Sequence, residues 1–348
     1  MTFKSFYQVY IGTNSVRGSK GIYTVHVDAD TLEPEIVATT QNYNTGSLVL
    51  SADDGWLYAA VEGMTFDGYA DGGVRSYRTH ENGNLEVLNG QKANGQRTCC
   101  VAVDDLSKYA YACNFYRGSF SVYDLEADGR LKLARLVIEP PANTKWKALH
   151  CIGQIDGAYI GVISLAECAF IVYRADTGER VTSYEFPDHP FPRYFEVSGK
   201  YIYAMMQSPD DIYVFENCLS KSRQIKLIQK ISVMGEDYQG LRATSTIRAT
   251  NDGRLLLAAH RPTNSVTVFR IKDGGLLEQS CVAKLPGETP RDFNISSDGK
   301  IVVVAMQKSD EIRILRVDKE NAALTDPGTK IHIPSPAAVA ISRRISIE

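Results

Sequence analysis

Arg193, Arg261 and Arg291, together with His150 and His260, fall at equivalent places in a repeated strand pattern, and a single carboxylate, Glu62, shares that set. The guanidinium fork binds a carboxylate or phosphate through two parallel hydrogen bonds, so such a cluster favours an anionic small molecule. A lone arginine there can also be a structural partner for a nearby acid, as Arg291 could be for Asp292. His150, in Lys147-Ala148-Leu149-His150-Cys151, stands where an inner strand begins. An imidazole titrates near neutrality and can serve as a base, and the competing reading is a hydrogen-bonded core histidine. His26, His80, His189 and His332 fall on outer strands or loops. There is no G-x-S-x-G, glycine-rich phosphate loop or H-E-x-x-H. A channel metal would want several carboxylates or histidines, so no metal and no cofactor is expected.

The elements that position these residues are read from Thr289–Val317. Arg291–Ser296 alternates apolar and polar, Ser297-Asp298-Gly299 is a turn, Lys300–Ala305 is β-branched, and a further strand follows the loop at Met306–Ser309. The same turn-then-strand unit recurs at Gly55, Ser107, Gly157, Gly199 and Gly253, at intervals of roughly 40 to 55 residues. Short strands repeating at this period indicate a β-propeller. Strand a starts, and strand b ends, on the same face of such a disc. One set of channel-mouth positions is therefore Ser47, Cys100, His150, Arg193, Thr246 and Arg291, and the other is Asn14, Glu62, Asn114, Ser164, Gln207, His260–Arg261 and Met306–Gln307.

The first segment supplies three strands, Tyr7–Gly12, Gly21–Val27 and Glu35–Thr40, while Pro336–Ser342 is left over after the seventh unit. The predicted fold is all-β, a seven-bladed propeller over residues 1–348 as one domain, closed by the C-terminal strand pairing into the first blade and so leaving no open edge. A long connection, Glu62–Asp71, joins two strands of the second blade. A net charge of −3 with scattered basic residues argues against a nucleic-acid partner. No apolar run reaches membrane-spanning length, and seven cysteines without C-x-x-C spacing read as reduced thiols of a cytoplasmic protein.

The residues Gly12-Thr13, Ser19–Tyr23, Glu62, Gly72-Gly73-Val74, Asn114, Gly118-Ser119, Arg261–Arg270 and Thr289–Phe293 carry a resemblance. The chain resembles, over its whole length, the seven-bladed propeller lactonases, which comprise propeller-type 6-phosphogluconolactonases and 3-carboxy-cis,cis-muconate cyclases. The resemblance implies hydrolysis of a sugar-derived or carboxylated lactone, with 6-phosphogluconolactone the default. It implies His150 as base, Arg193 or Arg261 at the oxyanion, Arg291 on the substrate's phosphate or carboxylate, and Glu62, Asn114 and Gln207 orienting hydroxyls or water. A muconate-type cycloisomerase, or a propeller that only binds an anionic ligand or protein, is the alternative. Gln207, Thr246 and Ser164 stand where the family carries acids.

Overall fold

The computed structural model describes residues 5–62, 71–140 and 147–347. The connection expected over Glu62–Asp71 lies mostly outside them. Seven antiparallel sheets follow one another around an axis. The inner strands are Pro336–Ile347, Leu48–Leu50, Gln96–Val103, Leu149–Asp156, Phe191–Ser198, Thr244–Ala249 and Pro290–Ile295. Each is followed outward by its hairpin partners, and the seventh blade's outer edge is divided into Ala323–Thr325 and Lys330–His332. Helix among the described residues is limited to Leu219–Ser222 and two three-residue turns. Nor is any described helix long and apolar enough to cross a membrane.

The turn in the repeat is built by its own side chains. Ser296 Oγ donates to Asp298 Oδ1 at 2.7 Å, the Lys300 and Ile301 amides donate back to Asp298 Oδ1 and Ser296 Oγ, and Gly299 takes a left-handed φ of 67°. Ser51 with Asp53, and Thr250 with Asp252, repeat the arrangement at 2.7 and 2.6 Å. In the second blade the left-handed position falls on Asp54, one residue before Gly55. Asparagine and aspartate tolerate this conformation better than other non-glycine residues, which lets the turn survive the shift.

Closure follows the predicted route. The C-terminal strand lies innermost in the first blade and pairs with Ser5–Thr13, Val9 opposite Ile341 and Tyr10 opposite Ala340. It is tied to the second blade by Ser342 Oγ donating to Asp54 Oδ2 at 2.9 Å. On its other side the first blade is tied to the seventh by several bonds, among them Tyr7 Oη donating to Asp298 Oδ2 at 2.9 Å. Apolar side chains from neighbouring sheets fill the spaces between blades. Phe170, Phe195 and Phe215 pack together across the fourth and fifth, where burying one such ring contributes about 1.5–3 kcal/mol.

Candidate active site

The inner strands bring their chemistry to the axis by one repeated device. In the third blade Thr98 pairs with Asn114 and Cys100 with Cys113, so Cys99 is left out of the ladder. The same slip leaves out His150 in the fourth, Arg193 in the fifth, Arg291 in the seventh and Ala337 in the first. In the sixth it falls at Ser245–Thr246. A bulge of this kind re-aims the unpaired side chain. The bulged residues Cys99, His150, Arg193, Thr246, Arg291 and Ala337 line one cavity of about 240 Å³, joined by Gly46 and Ser47 of the second blade. Gln207 on the partner strand of the fifth blade is extruded as well and lines the same space.

Arg193 is 6% exposed, and its fork is held from two sides. Its Nε donates to the Ser245 carbonyl at 2.8 Å and its Nη1 to Gln207 Oε1 at 2.6 Å. Burial, then the Arg291 and Arg261 charges, push its pKa well below the ordinary arginine range. A guanidinium stays protonated at neutral pH, so this depression expresses first the cost of burying the charge and then its repulsion by the other arginines, both of which a bound anion would offset. Arg291 is lowered too, by burial first, with Glu62 and Asp292 opposing. Among the described residues it makes no hydrogen bond or ion pair. Asp292 is engaged elsewhere, accepting from the Val339 amide at 2.9 Å and facing Arg248 at 3.6 Å, so the Arg291–Asp292 pairing considered from the sequence is replaced by an Arg248–Asp292 one.

Glu62 joins Asp292 as a carboxylate lining the cavity and is paired with Arg97 Nε at 3.4 Å. Burial raises its pKa, against the pull of Arg97, Arg291 and Arg193. The room for it comes from Gly46, since a Cβ there would stand 2.0 Å from Glu62 Oε1. His150 meets the edge of the Phe115 ring, centroids 6.1 Å apart, and Arg97 lies 5.0 Å above that ring. Burial, then the charges of Arg193, Arg291 and Arg97, hold the imidazole well below the ordinary value of 6.5. It is therefore neutral at pH 7, and its Nδ1 has no hydrogen-bond partner among the described residues.

The cavity thus gathers His150, Arg193, Arg291, Glu62 and Gln207 from the set read in the sequence, with Ser47 and Thr246. Arg261 is not among its lining residues. It is half-buried and close enough to feel Arg291, lowered to about 10 by burial and by that charge, with Nε buried and unpartnered among the described residues. Asn114 is also outside, and its amide is spent on structure: it donates to the Ala93 carbonyl at 2.8 Å and accepts from Thr98 Oγ1 at 2.9 Å. Orienting a substrate is not open to it, because a fully buried amide with both ends engaged has nothing left to offer. Ser164 Oγ accepts from the Glu167 amide, and His260 spends both ring nitrogens on Ala243 and Thr263. Cys99, not Cys100, faces the cavity.

Two cationic residues were missed. Arg97 enters from the start of the third blade's inner strand, with a left-handed φ of 58°, a conformation no sequence pattern announces for arginine. Arg248 crosses between this cavity and a larger one of about 560 Å³ further down the channel, lying 4.8 Å over the Tyr194 ring and donating to Tyr194 Oη at 3.2 Å. Its position inside an inner strand, Ser-Thr-Ile-Arg, gave the only available signal.

A seven-bladed propeller with an axial cavity of guanidinium groups around a neutral imidazole defines an anion-receptive enzyme-like scaffold. The chain belongs to the lactonase family of seven-bladed β-propellers, which it matches over residues 8–341. It is 25% identical to a 6-phosphogluconolactonase of Bacillus subtilis, covering 97% of this chain and 98% of that protein. It is 26% identical to an uncharacterized protein of Lactococcus lactis, covering 91% and 94%. A Pseudomonas aeruginosa periplasmic gluconolactonase has the same fold, with a TM-score of 0.88, 21% identity and coverage of 97% and 99%.

Proposed function

We propose that this protein hydrolyses an anionic sugar-derived or carboxylated lactone, with 6-phosphogluconolactone as the default, in the cavity between His150, Arg193 and Arg291. The observation that carries the reading is a neutral imidazole and four guanidinium groups, of Arg97, Arg193, Arg248 and Arg291, lining one small cavity. His150 takes a proton from water as the water attacks the ring carbonyl. The oxyanion formed there is met by Arg193, already fixed by Ser245 and Gln207, an interaction of about 3–4 kcal/mol when such a donor is preorganised. The ring oxygen then leaves with the proton from His150, and the product is an open hydroxy acid. Arg193 replaces Arg261 in this role because it lines the cavity. Arg291 holds the phosphate or carboxylate, while Glu62 and Gln207 orient hydroxyls or the water. The step requires no metal ion. Seven free thiols and a phosphorylated substrate support a cytoplasmic setting.

An imidazole depressed by burial and by neighbouring cations is a weak base, and the substrate corrects the second of these. An anion on Arg291 cancels part of the positive field that lowers His150, moving its pKa toward the working range. Charged lactones should therefore gain in kcat as well as in KM over uncharged ones. The test is acid release on mixing the purified protein with fresh 6-phosphogluconolactone or glucono-lactone, each corrected for spontaneous opening. Faster opening of the phosphorylated ring supports the reading. No release with either, alongside a melting-temperature rise with 6-phosphogluconate, would reassign the cavity to ligand binding.

Gly46→Ala probes the Glu62 placement without touching a charged group. The added methyl forces the carboxylate away from its position beside Arg97, and a displacement of this size costs up to about 100-fold in kcat/KM. The melting temperature should barely move, because the displaced atoms end a flexible side chain. Unchanged turnover would remove Glu62 from the proposed site.

A further inference from the structure

All seven cysteines are free, yet four of them are gathered where the third and fourth blades meet, beside the cavity. Cys99 Sγ stands 3.9 Å from Cys113 Sγ, and Cys100 Sγ stands 4.0 Å from Cys151 Sγ. The bulge distinguishes the first pair from the second. It turns Cys99 out of the ladder into the cavity wall, partly exposed, while Cys100, Cys113 and Cys151 remain buried at 3%, 0% and 3%. A small oxidant that enters the cavity therefore meets Cys99 first and finds Cys113 directly behind it. Cys168, Cys218 and Cys281 have no thiol neighbour among the described residues.

We propose that Cys99 and Cys113 form a peroxide-sensitive modification site that closes to a disulfide in the wall of the cavity. Two residues of a bulge, here Cys99 and Cys100, face one residue of the partner strand, here Cys113. The Cys99 and Cys113 sulfurs already stand 3.9 Å apart, so they need to close by only about 2 Å to reach the roughly 2.05 Å of a disulfide bond. In the first step the Cys99 sulfur takes an oxygen from a peroxide ROOH, the O–O bond breaks, and an alcohol ROH leaves, giving Cys99–SOH. Then Cys113 attacks that sulfur, the S–O bond breaks, and water leaves with the Cys113 proton. Sulfur has lost two electrons and the peroxide has gained them.

Closure changes the site. In the reduced protein Cys99 Sγ–H lies 3.4 Å from the Leu149 carbonyl and 3.6 Å from that of His150, so the thiol supports the strand start that carries the proposed base. The disulfide deletes this donor and draws the sulfur toward the third blade. Lost turnover rests on the lactonase reading; bond formation does not.

The experiment treats the whole protein with hydrogen peroxide and follows intact mass, thiol count and peptide maps, with and without dithiothreitol. A loss of about 2 Da, a Cys99–Cys113 cross-linked peptide and reversal by dithiothreitol are expected. Cys99→Ser should abolish the bridge, and Cys113→Ser should leave Cys99 as a sulfenic acid trapped by dimedone. Should Cys113→Ser misfold, the Cys99→Ser protein and the wild-type peptide map decide alone. A bridge mapped to Cys100–Cys151, or Cys99 carried to sulfinic acid with no bridge, overturns the proposal. In protein that opens lactones, the bridged form should lose at least about tenfold in kcat and regain it on reduction. Unchanged turnover in fully bridged protein overturns the regulatory half.

Discussion

His150→Ala lowers kcat on the preferred lactone by about 10²–10⁴-fold, the range a positioned general base supplies, while the fold survives. The second half of that expectation follows from the imidazole's surroundings. Its Nδ1 finds no partner among the described residues, and its neighbours include the guanidinium groups of Arg193 and Arg291, so the ring is held at some cost. Its removal at neutral pH should leave the melting temperature within a few degrees of wild type. The pH dependence carries a sign. His150 is neutral when folded and takes a proton in the unfolded chain below 6.5, so its depressed pKa contributes stability that is intact above 6.5 and lost as pH falls toward the folded value. Urea unfolding at pH 7.5 and 5 should therefore show His150→Ala as less acid-sensitive than wild type. Activity adds a second sign. In kcat/KM the acid limb reports the free enzyme and should lie well below 6.5, whereas in kcat it reports the complex and should lie higher, because the bound anion offsets Arg291. Coincident limbs, or a variant that loses folding along with turnover, would take the base role from His150.

The fold was legible because its signals are local and repeated. Ser296, Asp298 and Gly299 build their turn from their own side chains, so the turn is written in the residues that form it. The surplus strand at Pro336 and the missing one before Tyr7 could be matched by counting. The site was legible only in part. His150, Arg193 and Arg291 were located because strand starts share one end of the channel, but which residue of a strand start faces inward depends on the bulge, and that is a property of the ladder between two strands. Cys100 was expected where Cys99 stands for this reason, a slip of one residue that exchanges the two faces. Asn114 and Arg261 have suitable chemistry in the right neighbourhood. What removes them is the local hydrogen bonding of one and the place of the other outside the cavity lining, neither of which a single sequence encodes. Arg97 reaches the cavity through a left-handed backbone that has no sequence signature in arginine.

Arg291→Ala should be the most selective lesion in the molecule. Arg291 lines the cavity without a hydrogen bond or ion pair among the described residues, and its charge depresses Arg193, Arg261 and His150. A buried cation that repels its neighbours is retained at a cost to the empty protein, so its removal should leave stability unchanged or raise the melting temperature. The same removal should lower kcat/KM on a phosphorylated lactone by about 30- to 5,000-fold, since truncating one partner of a buried charge pair costs about 2–5 kcal/mol. On an uncharged lactone the loss should be far smaller, because no anion is there to miss the guanidinium. Arg291→Lys should fall between, keeping the charge and losing the two-pronged contact. With one cation gone, His150 becomes a stronger base, and the acid limb of kcat/KM should move upward in pH. Those outcomes separate an anion-binding arginine from a structural one, which would lose stability and affect both lactones alike. Steady-state rates on 6-phosphogluconolactone and glucono-lactone, with a thermal melt of each variant, decide the matter, and equal losses on the two substrates would remove Arg291 from substrate recognition.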